Sequence, residues 1–288
     1  MATFKDFRNN VKPNWCPGCG DFSVQAAIQR AAANVGIEPH ELAVISGIGC
    51  SGRISGYINS YGFHGTHGRA LPIAQGLKIA NRDLHVIATG GDGDGYAIGM
   101  AHTVHAIRRN INITYIVMDN QIYGLTKGQT SPRSAYGFVT KSSPQGSKEP
   151  SVKPLELALS AGATFVAQGF SSDIKELTAL IEAGIQHKGF SFINVFSPCV
   201  TYNKVNTYEW FKEHLTKLDD IEGYDPRNRE LAMQTVMEKE GLVTGIVYQD
   251  PESIPYEEQL EGFSEKPLVD MDLKISDEQF NELVKEFM

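Results

Sequence analysis

Nowhere in its 288 residues does the chain hold an apolar run near the roughly 20 residues that span a bilayer, so no transmembrane helix is expected. The opening stretch, MATFKDFRNNVKPNW, lacks the apolar core of a secretory signal, and a cytoplasmic location is the default. Only four cysteines occur, and in a cytoplasmic chain they point to metal or redox work more than to disulfides. Between Glu41 and Asp83 there is no acidic residue at all, a gap that bears on one motif below. What is present, 41% hydrophobic and 21% charged residues, is the balance of a soluble globular protein. The net charge of −8 divides unevenly: residues 1–210 carry +4 and residues 211–288 carry −12. Anionic ligands or an acidic partner are therefore expected at the first part. Neither nucleic acid nor membrane is expected as a partner.

Short apolar runs alternate with helical patterns over the first two-thirds. Leu42–Ser46, Leu84–Thr89, Ile113–Met118, Thr164–Ala167 and Phe192–Phe196 read as buried strands. Asp21–Val35, Leu71–Ala80, Tyr96–Arg108, Leu155–Ala161 and Asp173–His187 read as the helices between them. This alternation predicts an α/β fold, a parallel sheet with helices on both faces, whose ligands sit beyond the carboxyl ends of the strands. Lys127–Lys153 is a long loop rich in Ser, Gly, Pro and Lys, and loops of that length are functional or disordered. Beyond it, helices are expected over Glu209–Leu218 and Asp277–Phe287, with one more strand over Leu242–Tyr248. The reading divides the chain into residues 1–205, carrying the chemistry, and a C-terminal extension, 206–288, that covers it or contacts a partner.

The strand Leu84–Thr89 runs into Gly90-Gly91-Asp92-Gly93-Asp94-Gly95. Glycines let backbone approach a ligand closely, and the following helix turns free N–H groups toward a phosphate. Asp92 offers a hard oxygen ligand. The next strand ends in Asp119-Asn120-Gln121-Ile122-Tyr123-Gly124, and 26 residues separate Gly93 from Asn120, enough for a helix and a strand to bring the chain back beside its start. Asn120 can then add a second oxygen and the Ile122 carbonyl a third, a set suited to magnesium shared with substrate phosphates. The spacing resembles the thiamine-diphosphate motif. An EF-hand calcium loop fails, because Tyr96 and Ala97 stand where an Asp/Asn and the invariant Gly belong.

Gly47-Ile48-Gly49-Cys50-Ser51-Gly52 has the formal spacing of a dinucleotide-binding fingerprint. That fingerprint requires an acidic residue about 20 positions on to hold the ribose, and the acid-free gap excludes it. The four cysteines are Cys16 and Cys19 in one tight turn, Cys50 after the first strand and Cys199 after the fifth. Four thiolates converging there are compatible with a [4Fe–4S] cluster or a structural zinc.

Taken in order, Trp15–Gly20, Gly47–Ser51, His64–Ala70, Gly90–Gly95 and Asp119–Thr126 resemble the beta subunit of 2-oxoacid:ferredoxin oxidoreductases over roughly residues 12–205. The resemblance implies a thiamine-diphosphate-binding fold and one [4Fe–4S] cluster on Cys16, Cys19, Cys50 and Cys199. It implies Mg2+ at Asp92, Asn120 and the Ile122 carbonyl. Cofactor contacts are implied from Ile48, Gly49, Cys50 and Ser51, from Gly91, Asp92, Gly93 and Asp94, and from Gly124 and Leu125, with His67 lining the reaction pocket. It further implies a separate alpha subunit with the glutamate that faces the aminopyrimidine, which nothing here matches.

The activity so implied is coenzyme A-dependent oxidative decarboxylation of a 2-oxoacid, with electrons leaving one at a time through the cluster to ferredoxin. Arg53, three residues after Cys50, suits bidentate binding of a second carboxylate, which makes 2-oxoglutarate the expected substrate, with His64 or His67 assisting. Pyruvate or a broad set of 2-oxoacids is the alternative, and a zinc-stabilised module without catalysis is the rival from another class. Lys127 and the cations of Arg133–Lys153 are expected to contact coenzyme A, the alpha subunit or an acidic ferredoxin.

Overall fold

The computed structural model describes residues 1–260, 266–272 and 274–287. Eight strands form one sheet in the order β2-β1-β3-β4-β8-β7-β10-β9. Six are mutually parallel: β1 (Leu42–Ser46), β2 (Tyr61–His64), β3 (His85–Gly91), β4 (Thr114–Asp119), β7 (Phe165–Phe170) and β8 (Ser191–Phe196). A two-stranded ribbon, β5 (Ile122–Tyr123) with β6 (Gln129–Thr130), stands beside it. Every residue of β1, β4, β7 and β8 is buried, which is why these strands read as unbroken apolar runs and not as alternating ones.

Two apolar layers sandwich the sheet. On one face α1 (Asp21–Asn34) and α5 (Ile174–Gln186) set Val24, Ile28, Leu177 and Ile181 against Val44, Ile116 and Ile193. On the other, α2 (Ala70–Ala80), α3 (Met100–Arg109), α4 (Pro154–Ser160) and α7 (Arg229–Glu238) pack against Ala43, Tyr115, Val117 and Phe192. Each fully buried aliphatic side chain contributes about 1.5–3 kcal/mol.

Two expectations need correction. The helix predicted from Tyr96 starts later: Asp94–Ile98 is a single π-helical turn, closed by Gly99 N–H on the Asp94 carbonyl at 3.0 Å, and α3 follows from Met100. The helix predicted over Glu209–Leu218 is only α6 (Tyr208–His214), because Leu215 turns extended and β9 (Thr216–Lys217) pairs with β10 (Val243–Gln249). That last strand joins the main sheet antiparallel to β7, so the sheet is mostly rather than wholly parallel. Nothing in the sequence announces β2. All four of its residues are exposed, and its two aromatics, Tyr61 and Phe63, are split by Gly62, so it gives no buried apolar run. The last helix, α8 (Asp277–Lys285), begins with a Ser276–Gln279 capping box. No described helix is long and apolar enough to cross a membrane.

His187, just after α5, lies under the sheet edge with Nε2 2.8 Å from the Thr164 hydroxyl, and burial lowers its pKa from 6.5 to about 4. Between those values the unfolded chain binds a proton that the folded chain refuses, so stability falls as the pH falls from 6.5 toward 4. His187→Gln is expected to flatten that slope by up to about 1 kcal/mol per pH unit, solvent access discounted. Denaturation at pH 7 and pH 5 checks it: equal pH slopes for both proteins would contradict it.

Candidate functional site

The loops that follow β1, β3, β4 and β8 meet at the carboxyl edge of four adjacent strands. Asp92 directly follows β3 and is 2% exposed. Burial, and then the neighbouring carboxylate of Asp119, push its pKa upward. Such a group is a poor lone anion and a good ligand for a cation. One of its oxygens, Oδ2, accepts the hydroxyl of Ser131. Asn120 starts the loop after β4, and its Oδ1 accepts the N–H of Ile122 at 3.1 Å, an Asx turn. Both side chains line one cavity of about 100 Å3, along with Ile48, Gly49, Cys50, Ser51 and His67. Gly91, Gly93, Asp94, Ile122, Gly124 and Leu125 line it too. Every residue expected to touch the cofactor or its magnesium through the thiamine motif therefore borders one space.

Asp94 does different work from Asp92. Its Oδ1 accepts the N–H groups of Ile48 and Gly68, each at 2.8 Å, tying the loop after β1 to the entry of α2. A Cβ on Gly47 would sit 2.0 Å from Asp94 Oδ2, so this glycine admits the carboxylate rather than a nucleotide. Gly93 is under Tyr123: a Cβ there would lie 2.1 Å from the ring, whose hydroxyl donates to the Gly93 carbonyl at 3.2 Å. His67 Nε2 stands 3.8 Å from Asp94 Oδ1, with its side chain 37% exposed.

A second cavity, about 430 Å3, shares Ile48, Gly49, Cys50, Asn120, Gly124 and Leu125 with the first. All four cysteines line it, as do Arg53 and His64. A Cβ on Gly124 would lie 3.5 Å from Cys199 Sγ and 3.6 Å from Cys50 Sγ, so those sulfurs flank one point of the dividing wall. Two hydrogen bonds bring the N-terminal turn there. Trp15 Nε1 donates to the Cys50 carbonyl at 2.8 Å, and the Ser197 hydroxyl donates to Asp21 Oδ1 at 2.8 Å. Desolvation, then the Asp21 carboxylate, push the Cys50 thiol up to about 12 and the Cys19 thiol higher still. Burial likewise raises Asp21 itself to about 6. Thiols so placed ionise only against a strongly cationic group. Among the described residues no three or more His, Cys, Asp or Glu side chains form a single-ion site. Four thiols lining one chamber are the donor set that a [4Fe–4S] cluster or a structural zinc takes.

Sequence reasoning missed three residues that shape this region: Ser131, Asp21 and Tyr123. Arg133, grouped in the sequence with the loop's partner-facing cations, is instead paired within the chain. Its side chain is 12% exposed, with Nε 2.7 Å from Asp119 Oδ2. Only the pairing of a loop cation with a strand-end aspartate hints at this.

This edge, with a carboxylate, an amide and a glycine-lined cleft on a parallel sheet, defines a thiamine-diphosphate-binding domain. Residues 47–195 match the family model described as thiamine pyrophosphate enzyme, C-terminal TPP binding domain, and residues 199–265 match the model for the C-terminal part of the pyruvate ferredoxin oxidoreductase beta subunit. The chain belongs to the family of 2-oxoacid:ferredoxin oxidoreductase beta subunits. Subunit beta of 2-oxoacid:ferredoxin oxidoreductase 2 from Aeropyrum pernix is 40% identical over 266 residues, 89% of this chain and 86% of that one. The 2-oxoglutarate synthase subunit KorB of Methanocaldococcus jannaschii is 44% identical over 65% of this chain and 70% of its own length. Among solved structures, the 2-oxoglutarate:ferredoxin oxidoreductase from Magnetococcus marinus, with 2-oxoglutarate, coenzyme A and succinyl-CoA bound, matches with a TM-score of 0.85 at 40% identity, covering 88% of this chain and 87% of that one.

Proposed function

We propose that this chain, paired with an alpha subunit that brings the pyrimidine-side glutamate, catalyses coenzyme A-dependent oxidative decarboxylation of 2-oxoglutarate and delivers the electrons to ferredoxin. The observation that carries the reading is the wall shared by the two cavities: Gly124, Cys50 and Asn120 border both, Cys16, Cys19 and Cys199 line only the larger, and Asp92 lines only the smaller. Bound in these spaces, thiamine diphosphate supplies the electron sink for decarboxylation and a [4Fe–4S] cluster the one-electron exit. Asp92, Asn120 and the Ile122 carbonyl hold Mg2+, while Cys16, Cys19, Cys50 and Cys199 hold the iron. Gly91, Gly93 and Gly49 let backbone approach the diphosphate, and Ser51, Ile48 and Leu125 shape the cleft around the rest of the cofactor. His67, against Asp94, offers a proton donor or acceptor at the mouth of the cleft.

Arg53 sets the substrate class. It lines the larger cavity with His64 and Cys50, its guanidinium 5.9 Å over the Tyr57 ring. A second carboxylate meets it bidentately, and pyruvate offers none. The names of the Methanocaldococcus and Magnetococcus proteins support the same substrate.

Anaerobic co-expression with the alpha subunit tests the reading. Coenzyme A-dependent viologen reduction faster with 2-oxoglutarate than with pyruvate is expected, in a brown protein containing iron and acid-labile sulfide. Arg53→Ala is expected to lower kcat/KM for 2-oxoglutarate about 10- to 100-fold while sparing pyruvate. Equal losses on both would overturn the role of Arg53. Stoichiometric zinc in a colourless protein would overturn the whole reading.

A further inference from the structure

The loop between β6 and α4 reaches the metal-binding carboxylate through a buried chain of bonds. Ser131, 8% exposed, gives its hydroxyl to Asp92 Oδ2. The same hydroxyl accepts the N–H of Arg133 at 3.2 Å, and the Ser131 N–H donates to Ser134 Oγ at 2.9 Å. Ser134 in turn donates to the Gln121 carbonyl at 2.7 Å, directly beside Asn120. Arg133 fastens this turn to the sheet. Its Nε donates to Asp119 Oδ2 at 2.7 Å, and its Nη1 donates to Ser151 Oγ at 3.1 Å and to the Val152 carbonyl at 2.5 Å. The far end of the loop is thereby drawn in as well, for Val152 N–H donates to the Pro132 carbonyl at 2.8 Å and Ser151 Oγ to the Arg133 carbonyl at 3.0 Å. Asp119 is fixed from the other side by Asn194 Nδ2 at 3.3 Å, and Asn194 accepts from Tyr96 at 2.7 Å.

One guanidinium therefore closes both ends of an exposed loop onto the last residue of β4. One hydroxyl, held by that closure, fixes which oxygen of Asp92 is engaged and leaves the other for an ion. We propose that Ser131 and Arg133 are positioning residues for the metal: Ser131 orients Asp92, and Arg133 couples the closure of the 135–150 loop to the affinity of the site. This deepens the function proposed above and rests on its magnesium–diphosphate site. The physical basis is general. Carboxylates that bind metals are themselves hydrogen-bonded, and loss of such a partner lowers metal affinity by about 10- to 100-fold. This guanidinium has no equivalent replacement, because Lys cannot reach Asp119, Ser151 and a carbonyl with one planar fork.

Two measurements on the complex with the alpha subunit, stripped of cofactor by chelation, test this. The first is calorimetric titration of Mg2+ at fixed thiamine diphosphate. The second is the rate of tryptic cleavage at Lys141 and Lys148, both exposed on the loop, which needs no metal and no activity. Ser131→Ala is expected to weaken Mg2+ about 10- to 100-fold with cleavage unchanged, and Ser131→Thr to restore binding. Arg133→Met is expected to speed cleavage at both lysines and to weaken Mg2+ together, and Arg133→Lys to recover neither fully. Mg2+ affinity within twofold of wild type in Ser131→Ala, or unchanged cleavage in Arg133→Met, overturns the proposal while leaving the metal site standing. Should Arg133→Met fail to fold, Ser131→Ala decides alone. Wild-type protein that binds thiamine diphosphate without any dependence on Mg2+ overturns the metal site itself, and the proposal with it.

Discussion

Asp92→Asn is expected to stabilise the cofactor-free protein and to abolish its response to the cofactor. The two effects have one cause. Asp92 and Asp119 are both buried, Arg133 pairs with Asp119, and burial and the like charge both disfavour an ionised Asp92. The amide removes that repulsion, so the melting temperature of the stripped complex should rise. The same amide removes the anionic oxygen that a magnesium–diphosphate pair requires. A ligand that binds only the folded state raises stability by RT ln(1 + [L]/Kd), about 2.7 kcal/mol at a hundredfold excess over Kd. Wild type should show that gain on adding Mg2+ with thiamine diphosphate. Asp92→Asn should show almost none, its affinity being lower by about 100-fold or more, beyond the loss expected for an outer hydrogen-bond partner. Thermal scans of both proteins, with and without Mg2+ and cofactor, measure all four states. A variant that keeps the magnesium-dependent gain would remove Asp92 from the site.

How far the chain can be read without its structure depends on where each signal resides. β4 and β8 are legible because six consecutive buried residues in each must be apolar or hydrogen-bonded, and Val, Ile and Phe fill them. β2 is silent because its side chains face solvent and only its backbone is used, pairing with β1 from Ala43↔Tyr61 to Ser46↔His64. The direction of β10 is equally silent, since an apolar run states burial and not polarity. Asp92 and Asn120 are legible because a βαβ crossover fixes their separation. Cys50 and Cys199 are legible as strand-end residues, but nothing in the sequence places Cys16 and Cys19 beside them. It takes Trp15 on the Cys50 carbonyl and Ser197 on Asp21 to carry the first turn to the ends of β1 and β8. Arg133 misleads for a related reason. A cation in a loop rich in Ser and Lys resembles its solvated neighbours until Asp119, 14 positions away, closes on it.

Because the two cavities share only part of their lining, the cysteines should not be equivalent, and this gives the sharpest contrast available. Cys199 lines the larger cavity alone, whereas Cys50 lines both. Cys199→Ser is expected to strip or destabilise the cluster: iron, sulfide and brown colour fall, and oxoacid-dependent reduction of ferredoxin drops by about 100-fold or more, since each cluster iron needs its own thiolate. Binding of Mg2+ and thiamine diphosphate should stay within about threefold of wild type, because no wall of the smaller cavity has changed. Cys50→Ser is expected to lose the cluster and to weaken the cofactor as well, its backbone and side chain being part of the loop that Asp94 and Trp15 hold in place. Iron analysis and calorimetry on the two variants, prepared anaerobically with the alpha subunit, separate the cases. If Cys199→Ser keeps its iron, the fourth ligand lies elsewhere. If both variants lose cofactor binding equally, the two spaces act as one, and the division of labour drawn from the Gly124 wall is wrong.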